Sequence, residues 1–481
     1  MESKPFNDLR EFIAKLEEEK DLVRIKQEVD WNLEVGAIIR RASETQSPAT
    51  LFEKIKGYPE GFRILGGPAA SRGRLAVSLG MPRNSSHAEM MDFYDYGFDH
   101  PIKPMLVSAG PCKENILKGK DVDLYKFPIP MLHDGDGGRY LGWHVIIFKD
   151  LDSEWVNWGT YRVMIHNRNH FAGMIMPFNH GATIARKYEE VNKPVEFAIA
   201  VGGDPICAIM GTANVPYGVN ETDIIGGMRR KPLELVKCET VDLMVPAAAE
   251  IVFEGHVLPG KRVDEGPFGE FTGYRASPRA PRLVYQVDCI TYRNNPILPA
   301  SCMGVPYDET SWTDSLNCSA LIRKELRREG IPIVSVYNRP ESSFLVIITT
   351  KTPYPGIAHK IASIVWGTNV GHCRHKLMVM NDDIDPENLP EVVHAFASKC
   401  HPVRGTHVDD GAAGYPLIPF QNLEERLWSK GCNVLYDCTW PVDWPPEIAV
   451  PPRSAFKSIY PARVQEKVKS NWKNYGFKDN P

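Results

Sequence analysis

The middle of the chain, from about Pro111 to Pro306, alternates short β-forming runs with glycine and proline. Runs such as HVIIFKD, VEFAIAV, AEIVFEGHV and RLVYQVDCITYR are rich in the branched and aromatic residues that favour strands. Glycine and proline between the runs end each one after a few residues. This pattern predicts a β-barrel or a strongly curved sheet.

Mixed helix and strand patterns flank this central part. Residues 8–20 place Leu9, Phe12, Ile13 and Leu16 on one helical face, which predicts an opening helix. Together these patterns predict an α+β protein with five parts: an N-terminal α/β unit (1–110), a central β-barrel domain (111–310), a linker helix (311–330), a C-terminal α/β domain (331–455) and a closing helix (456–481) that docks on its own fold or on a partner subunit.

Charge and hydropathy exclude several functional classes. Lys and Arg total 56 and Asp and Glu total 60, so the formal net charge is −4. Such a chain lacks the excess of basic residues that is typical of proteins that bind nucleic acid. No apolar run approaches the roughly 18 residues of a membrane span. The charged start MESKPFNDLREF lacks the apolar block of a secretory signal, so we expect a cytoplasmic protein. The chain also lacks GxGxxG and GxSxG, the signatures of a dinucleotide site and of a serine-hydrolase elbow.

One segment carries a pattern with catalytic potential. Glu265 and Glu270 bracket a Gly-Pro-Phe-Gly turn, where proline restricts one dihedral angle and glycine frees others. Two neighbouring carboxylates do not ionise independently, so one of them can keep a proton near neutral pH and act as a general acid. The alternative for this segment alone is a surface turn with two solvated acids.

Three further segments present polar side chains at predicted strand ends or turns. NWGTYR ends in Arg162, which suits bidentate contact with a carboxylate, and begins with the amide of Asn157. MPFNHG presents His180, and VPYGVNE presents Glu221. Each is an ordinary turn if taken alone. Together they supply an amide oxygen, an imidazole nitrogen and a carboxylate oxygen, a donor set that suits Mn²⁺ or Mg²⁺.

The order of these pieces resembles the UbiD family of prenylated-FMN-dependent decarboxylases, which includes the ferulic acid decarboxylases. The resemblance covers essentially the whole chain and is carried by HDGDGGRY (133–140), NWGTYR (157–162), PFNH (177–180), YGVNE (217–221), LELVKCET (233–240), VPAAAEIVFEG (245–255), EGPFGEFTGY (265–274), ITYRNNPILPASC (290–302), NDDID (381–385) and GYPLIPF (414–420).

The resemblance implies a fold, a reaction and cofactors. It implies a split β-barrel that binds flavin and a C-terminal domain that forms homodimers or homohexamers. The implied reaction is the reversible, non-oxidative removal of CO₂ from an aromatic or α,β-unsaturated acid, through a covalent bond between substrate and cofactor. Because loss of CO₂ at an sp² carbon leaves an unstabilised carbanion, this chemistry needs an electron sink. The implied cofactors are prenylated FMN from a separate flavin prenyltransferase, Mn²⁺ and K⁺.

The resemblance also suggests roles for residues of the four segments. Arg162 and Glu265 correspond to an Arg–Glu pair, and Glu270 corresponds to the proton donor. The implied metal ligands are Asn157, His180 and Glu221, and the backbone of residues 210–214 is implied at the K⁺ site. The implied cofactor contacts are Asn157, Gly159, Thr160, Tyr161, Arg162, Asn179, His180 and Glu221.

The chain departs from the ferulic-type pattern at the wall of the site. Gly159-Thr160-Tyr161 replaces Ser-Ile-Ala, Asn179 replaces a glutamine, and Asn369 corresponds to a lysine that contacts the cofactor. These changes favour a phenolic, polycyclic or heteroaromatic acid over a cinnamate. Two alternatives stay open: a catalytic or accessory subunit of a multicomponent aryl carboxylase, and a plain FMN reductase.

Overall fold

The fold of this protein, seen in a computed structural model, is described for residues 4–478. The strands are β1 (Leu22–Val29), β2 (Ala49–Ile55), β3 (Arg63–Gly66), β4 (Met105–Val107), β5 (Asn115–Lys118), β6 (Tyr140–Leu141), β7 (His144–Lys149), β8 (Val156–Gly159), β9 (Val163–Asn167), β10 (His170–Gly173), β11 (Val195–Val201), β12 (Glu234–Lys237), β13 (Met244–Pro246), β14 (Ile251–Glu265), β15 (Ala280–Tyr292), β16 (Ile297–Ala300), β17 (Ile333–Asn338), β18 (Leu345–Thr350), β19 (Lys376–Asn381), β20 (Thr406–Ala413) and β21 (Lys430–Cys438). The α-helices are α1 (Leu9–Glu18), α2 (Glu34–Glu44), α3 (Arg72–Ser78), α4 (His87–Asp99), α5 (His180–Glu190), α6 (Pro205–Gly211), α7 (Glu221–Arg229), α8 (Glu309–Arg328), α9 (Ile357–Trp366), α10 (Leu389–Lys399), α11 (Leu423–Trp428), α12 (Phe456–Ile459) and α13 (Ala462–Ser470).

The opening helix forms where the sequence predicts it. The Asp8 side chain caps α1 by accepting hydrogen bonds from the backbone amides of Arg10 and Glu11. The four predicted apolar positions of α1 are all buried. A four-stranded sheet in the order β1-β2-β3-β16 lies in this N-terminal part. Its fourth strand, β16, follows the strands of the central sheet in sequence.

The central part forms a nine-stranded sheet. Eight strands follow the order β6-β9-β10-β15-β14-β11-β7-β8, and β5 pairs with β15 outside this path. The expected barrel is corrected here: within residues 4–478 the end strands β6 and β8 do not pair with each other, so the sheet stays open. One face is covered by a core rich in aromatic side chains, among them Phe148, Phe171, Phe197, Phe253 and Tyr285.

The linker helix and the C-terminal sheet also follow the mixed α+β expectation. The helix α8 forms over the predicted linker range and buries Leu316, Ala320 and Leu321. Beyond it, five strands form a sheet in the order β17-β18-β19-β21-β20, in which β18, β19 and β21 run parallel. A smaller sheet, β13-β12-β4, lies beside the central one.

The closing helix α13 buries none of its side chains in the described part of the chain. Its apolar residues Val464 and Val468 are half-buried, as is Trp472 just beyond the helix. Across residues 4–478 we find no helix with the length and hydropathy needed to cross a membrane.

Candidate active site

A cleft of about 220 Å³ lies between the central sheet and the C-terminal part. Its central side is formed by the strand ends and loops that carry NWGTYR, PFNH and the segment after α6. Of the predicted site residues, those that line the cleft are Asn157, Gly159, Thr160, Tyr161, Arg162, Asn179, His180 and Glu270. The other two, Glu221 and Glu265, are buried behind this wall. The cleft therefore collects four segments that are far apart in sequence.

Arg162 lies between the two predicted carboxylates. Its Nη2 donates a hydrogen bond to Glu265 Oε2 at 2.8 Å, and its Nη1 donates to Glu270 Oε1. The exposed fractions of the three side chains are 8% for Arg162, 0% for Glu265 and 5% for Glu270. Burial lowers the pKa of Arg162, but the charges of Glu270 and Glu265 outweigh burial and raise it. The guanidinium is therefore a permanent cation at the cleft wall.

Glu270 is the carboxyl group of this cluster that faces the cleft. Burial raises its pKa, the Arg162 charge lowers it, and the nearby Glu265 raises it again, with a net upward shift. A raised pKa is what a carboxyl group needs in order to hold a proton near neutral pH. The arrangement can therefore pair a fixed cation with a proton donor at one wall.

Glu265 has partners on both oxygens. Its Oε2 accepts from Arg162, and its Oε1 accepts from the Tyr140 hydroxyl at 2.7 Å. The Tyr140 ring packs against Phe268, with ring centroids 4.2 Å apart. Glu265 is the last residue of β14, so the sheet fixes its backbone, and the Tyr140 hydroxyl holds its side chain. The sequence analysis did not single out Tyr140.

A second pair, His133 and Asp136, holds the loop that carries Glu270. The Asp136 Oδ1 accepts from the backbone amide of Gly269 at 2.8 Å, and its Oδ2 contacts His133 Nδ1 at 3.0 Å. His133 Nε2 lies 2.7 Å from the carbonyl oxygen of Met303. Burial lowers the pKa of His133, but the hydrogen bonds to Asp136 and Cys302 outweigh burial and raise it to about 10. Both ring nitrogens therefore face acceptors, as expected for an imidazolium.

His133 and Asp136 were missed as site residues by the sequence reasoning. Both lie in HDGDGGRY, which the family resemblance includes without assigning a role. A His and an Asp three residues apart, just before a predicted strand, give no sign of which distant loop they hold.

The three predicted metal-binding residues form one contiguous region. The Asn157 Nδ2 donates to Glu221 Oε1 at 3.1 Å, and the backbone amide of Trp158 donates to Glu221 Oε2 at 3.0 Å. The Tyr161 hydroxyl donates to Asn157 Oδ1 at 3.0 Å and accepts from the backbone amide of Gly181 at 3.1 Å. This chain of hydrogen bonds connects Glu221 to the start of α5, where His180 is the first residue.

The donor set of this region fits a divalent cation. Glu221 is 1% exposed and makes no ion pair with any described residue, and burial raises its pKa to about 8. Burial also lowers the pKa of His180, which favours the neutral imidazole that binds metals. The described residues contain no cluster of three or more His, Cys, Asp or Glu side chains that could hold a metal. Any metal here would therefore depend on the amide oxygen of Asn157.

The remaining predicted cofactor contacts also lie around this cleft. The Thr160 backbone amide donates to the Gly211 carbonyl at 2.7 Å, which connects NWGTYR to the segment predicted to bind K⁺. The Tyr161 ring packs so closely on Gly159 and Gly181 that a Cβ at either position would lie under 3.0 Å from it. Asn179 precedes α5 and makes no capping hydrogen bond with its side chain. Asn369 lines the opposite side of the cleft.

Three family models match the chain in order. The 3-octaprenyl-4-hydroxybenzoate carboxy-lyase N-terminal domain matches residues 13–94, the Rift-related domain matches 105–306, and the C-terminal domain matches 311–438. Among relatives, the pyrrole-2-carboxylic acid decarboxylase of Pseudomonas aeruginosa is 31% identical over 98% of this chain and 99% of its own. Ferulic acid decarboxylase 1 of Saccharomyces cerevisiae is 34% identical over 98% of this chain and 99% of its own.

Solved structures show the same relationship. The vanillic acid decarboxylase of Sedimentibacter hydroxybenzoicus, in its closed form, has a TM-score of 0.89 at 31% identity, over 98% of this chain and 99% of that one. The UbiD-class enzyme HmfF from Pelotomaculum thermopropionicum, in complex with FMN, has a TM-score of 0.82 at 30% identity, over 93% and 97%. An evolved dimeric form of HmfF was solved with prenylated FMN. This chain therefore belongs to the UbiD family and is a carboxy-lyase of the decarboxylase type.

Proposed function

We propose that this protein uses prenylated FMN for the reversible, non-oxidative decarboxylation of an aromatic or α,β-unsaturated carboxylic acid. The observation that carries the proposal is the buried Arg162 between Glu265 and Glu270 at the wall of the cleft. The named relatives act on pyrrole-2-carboxylic and ferulic acids. We infer a phenolic, polycyclic or heteroaromatic acid for this chain.

The lining of the cleft supports a flavin site with a divalent metal beside it. The residues that line it include Asn157, Gly159, Thr160, Tyr161, Arg162, Asn179 and His180, and the buried Glu221 accepts a hydrogen bond from Asn157. Asn157, His180 and Glu221 would hold Mn²⁺, and the backbone of residues 210–214 would hold K⁺. Prenylated FMN, when bound, supplies the electron sink that decarboxylation at an sp² carbon requires.

The chain's own groups would bind the substrate and move a proton. Arg162 binds the substrate carboxylate, because a guanidinium matches two carboxylate oxygens, and Glu265 holds that guanidinium in place. The Glu270 carboxyl group, whose pKa is raised, donates its proton to the carbon that CO₂ leaves. In the carboxylation direction the same carboxylate accepts that proton.

The test is CO₂ release from a panel of hydroxybenzoic, cinnamic, polycyclic and heteroaromatic acids. The protein is produced without oxygen together with a flavin prenyltransferase, with Mn²⁺ and K⁺ present, and mass spectrometry identifies the bound flavin. Release from one class of acid supports the proposal. No release from any acid, with prenylated FMN bound, contradicts it for a chain acting alone and favours the multicomponent reading. Rapid oxidation of NAD(P)H with plain FMN bound would favour the reductase.

We also propose that the protein acts in the cytoplasm as a homodimer or homohexamer. The apolar face of α13, formed by Val464 and Val468, is only half-buried within the described residues, and a second copy would cover the rest. A light-scattering mass of one chain would contradict this.

A further inference from the structure

The loop of residues 266–270, which ends at Glu270 (the Glu270 loop), packs against the loop of residues 133–137. The Gly137 backbone amide donates a hydrogen bond to the Pro267 carbonyl at 2.7 Å. A Cβ at Gly137 would overlap the carbonyl oxygen of Gly266, so the two backbones approach as closely as glycine allows. The two loops are therefore held together immediately before the proposed proton donor.

Asp136 makes the side-chain connection between the two loops. Its Oδ1 accepts from the backbone amide of Gly269 at 2.8 Å, and Gly269 directly precedes Glu270. Its Oδ2 accepts from the His133 backbone amide at 3.2 Å and lies 3.0 Å from His133 Nδ1. A Cβ at Gly269 would overlap the His133 ring. Because the Asp136 side chain has no exposed surface, both of its oxygens serve only these contacts.

His133 connects this arrangement to a third segment at the cleft. Its Nε2 lies 2.7 Å from the Met303 carbonyl oxygen and 3.3 Å from the Cys302 thiol, and Met303 lines the cleft. Burial lowers the pKa of His133, but its hydrogen bonds to Asp136 and Cys302 outweigh burial and leave the ring protonated at neutral pH. The charge of Asp136 is therefore balanced by a group that is itself attached to the cleft wall.

We propose that Asp136 is a positioning residue for the proton donor: it holds the Gly269 amide so that Glu270 stays on Arg162 at the cleft, and it places a negative charge near the Glu270 carboxyl group. This inference rests on the proposed function, in which Glu270 gives its proton to the substrate carbon. A general acid acts within hydrogen-bond reach of the atom that it protonates, so a small displacement of its backbone lowers the rate steeply.

The other side of Glu270 offers a weaker anchor. The backbone amide of Glu270 makes a long hydrogen bond of 3.3 Å to the Tyr274 carbonyl, and the Tyr274 side chain is 62% exposed. The bond from Gly269 to Asp136 is shorter and its acceptor is fully buried. Asp136 is therefore the contact that fixes the position of the Glu270 backbone.

The charge of Asp136 acts on Glu270 in a second way. Burial raises the pKa of Glu270, the Arg162 charge lowers it, and the charges of Glu265 and Asp136 raise it again. The titratable and charged groups that face Glu270 are Arg162, Glu265, Asp136 and Tyr415, with His133 behind Asp136. An uncharged residue at position 136 removes one anion, so Glu270 should lose its proton at a lower pH. The direction holds whether or not His133 stays protonated in that variant, since a positive ring would lower the Glu270 pKa further.

Hydrogen–deuterium exchange, read by mass spectrometry on peptides covering residues 266–273, tests the positioning. Asp136→Ala removes the acceptor of the Gly269 amide, so exchange in these peptides should rise about tenfold or more. Asp136→Asn keeps an acceptor oxygen and should stay within about threefold of the wild type. The full chain is used, with and without FMN.

The matched control is Asp288→Ala. Asp288 also contacts a histidine, His256 Nδ1 at 2.8 Å, but it lies on β15 and is not part of the cleft lining. Its loss should leave exchange at residues 266–273 unchanged.

Infrared titration of the Glu270 carboxyl group tests the effect of charge. The Glu270 band is isolated as the difference between each protein and the same protein carrying Glu270→Gln. In Asp136→Asn the midpoint of this titration should lie lower than in the wild type by about 0.5 pH unit or more. Asp288→Asn should keep the wild-type midpoint. A merely structural role for Asp136 would not move the midpoint in a variant whose exchange is unchanged.

Two results would overturn the inference: wild-type exchange at residues 266–273 in Asp136→Ala, or an unmoved Glu270 midpoint in Asp136→Asn. The infrared result decides even if Asp136→Ala does not fold, because Asp136→Asn preserves the buried hydrogen bond. Neither measurement requires turnover, so absence of CO₂ release would count against the proposed function while the role of Asp136 is still decided. With an active substrate, Asp136→Ala should lower kcat about tenfold or more and leave KM nearly unchanged.

Discussion

Arg162 Nη2 lies 2.8 Å from Glu265 Oε2, and both side chains are almost fully buried. Glu265 ends the strand β14, and Arg162 lies between β8 and β9, so the sheet brings them together across 103 residues of sequence. Glu270 contacts the same guanidinium from the loop that follows. One cation therefore balances two buried carboxyl groups, which makes the cluster sensitive to any change of charge.

Replacing Arg162 with Met should destabilise the protein. Loss of the guanidinium leaves Glu265 and Glu270 buried without a cation, which costs about 3–5 kcal/mol of unfolding free energy. Chemical denaturation at pH 7 measures this. The control is Arg262→Met, because the Arg262–Glu189 pair is 35% and 38% exposed and an exposed pair contributes about 0–1 kcal/mol. Equal losses in both variants would contradict the assignment of a buried cluster.

Replacing Glu270 with Gln should abolish turnover while FMN still binds. Gln cannot donate a carboxyl proton, and general acid catalysis contributes about 10²–10⁴-fold to rate. CO₂ release and FMN fluorescence quenching measure the two effects. In the wild type, turnover should fall as the pH rises through the raised pKa of Glu270, because the donor ionises. If Glu270→Gln releases CO₂ at the wild-type rate, Glu270 is not the proton donor.

His133 should make stability depend on pH. Its pKa is about 10 in the fold and about 6.5 when unfolded, so folding favours the protonated ring. The stabilisation is complete below about pH 6.5 and is lost as the pH rises toward 10. Urea unfolding between pH 6 and pH 10 should show this loss in the wild type and a smaller loss in His133→Gln. His256→Gln, which removes a more exposed His–Asp pair, is the control.

Removal of Mn²⁺ should weaken cofactor binding through Glu221. A metal held by Asn157, His180 and Glu221 would attract the FMN phosphate, so FMN affinity should rise on addition of Mn²⁺ and fall with a chelator. The variant Glu221→Gln should lose this dependence on Mn²⁺. The control Asp223→Asn changes a carboxylate on the same helix and should retain it. If the FMN affinity of the wild type does not change with Mn²⁺, the proposed metal site is contradicted.

Local patterns in the sequence predicted local structure well. The buried face of α1 follows from apolar spacing, which acts over a few residues. The repeated β-forming runs predicted a sheet but not whether the sheet closes into a barrel. Whether β6 and β8 meet depends on pairing between distant strands, and the expected barrel was wrong on that point.

By itself, the sequence determined the family, the mixed α+β class and the candidate residues, because each motif carries its chemistry in a short run. Only the tertiary structure decided which of these residues meet. It placed Arg162 against both Glu265 and Glu270 and attached Asp136 to the Glu270 loop through Gly269. The physical reason is that burial and hydrogen bonding arise from contacts across more than a hundred residues, and no local pattern encodes them.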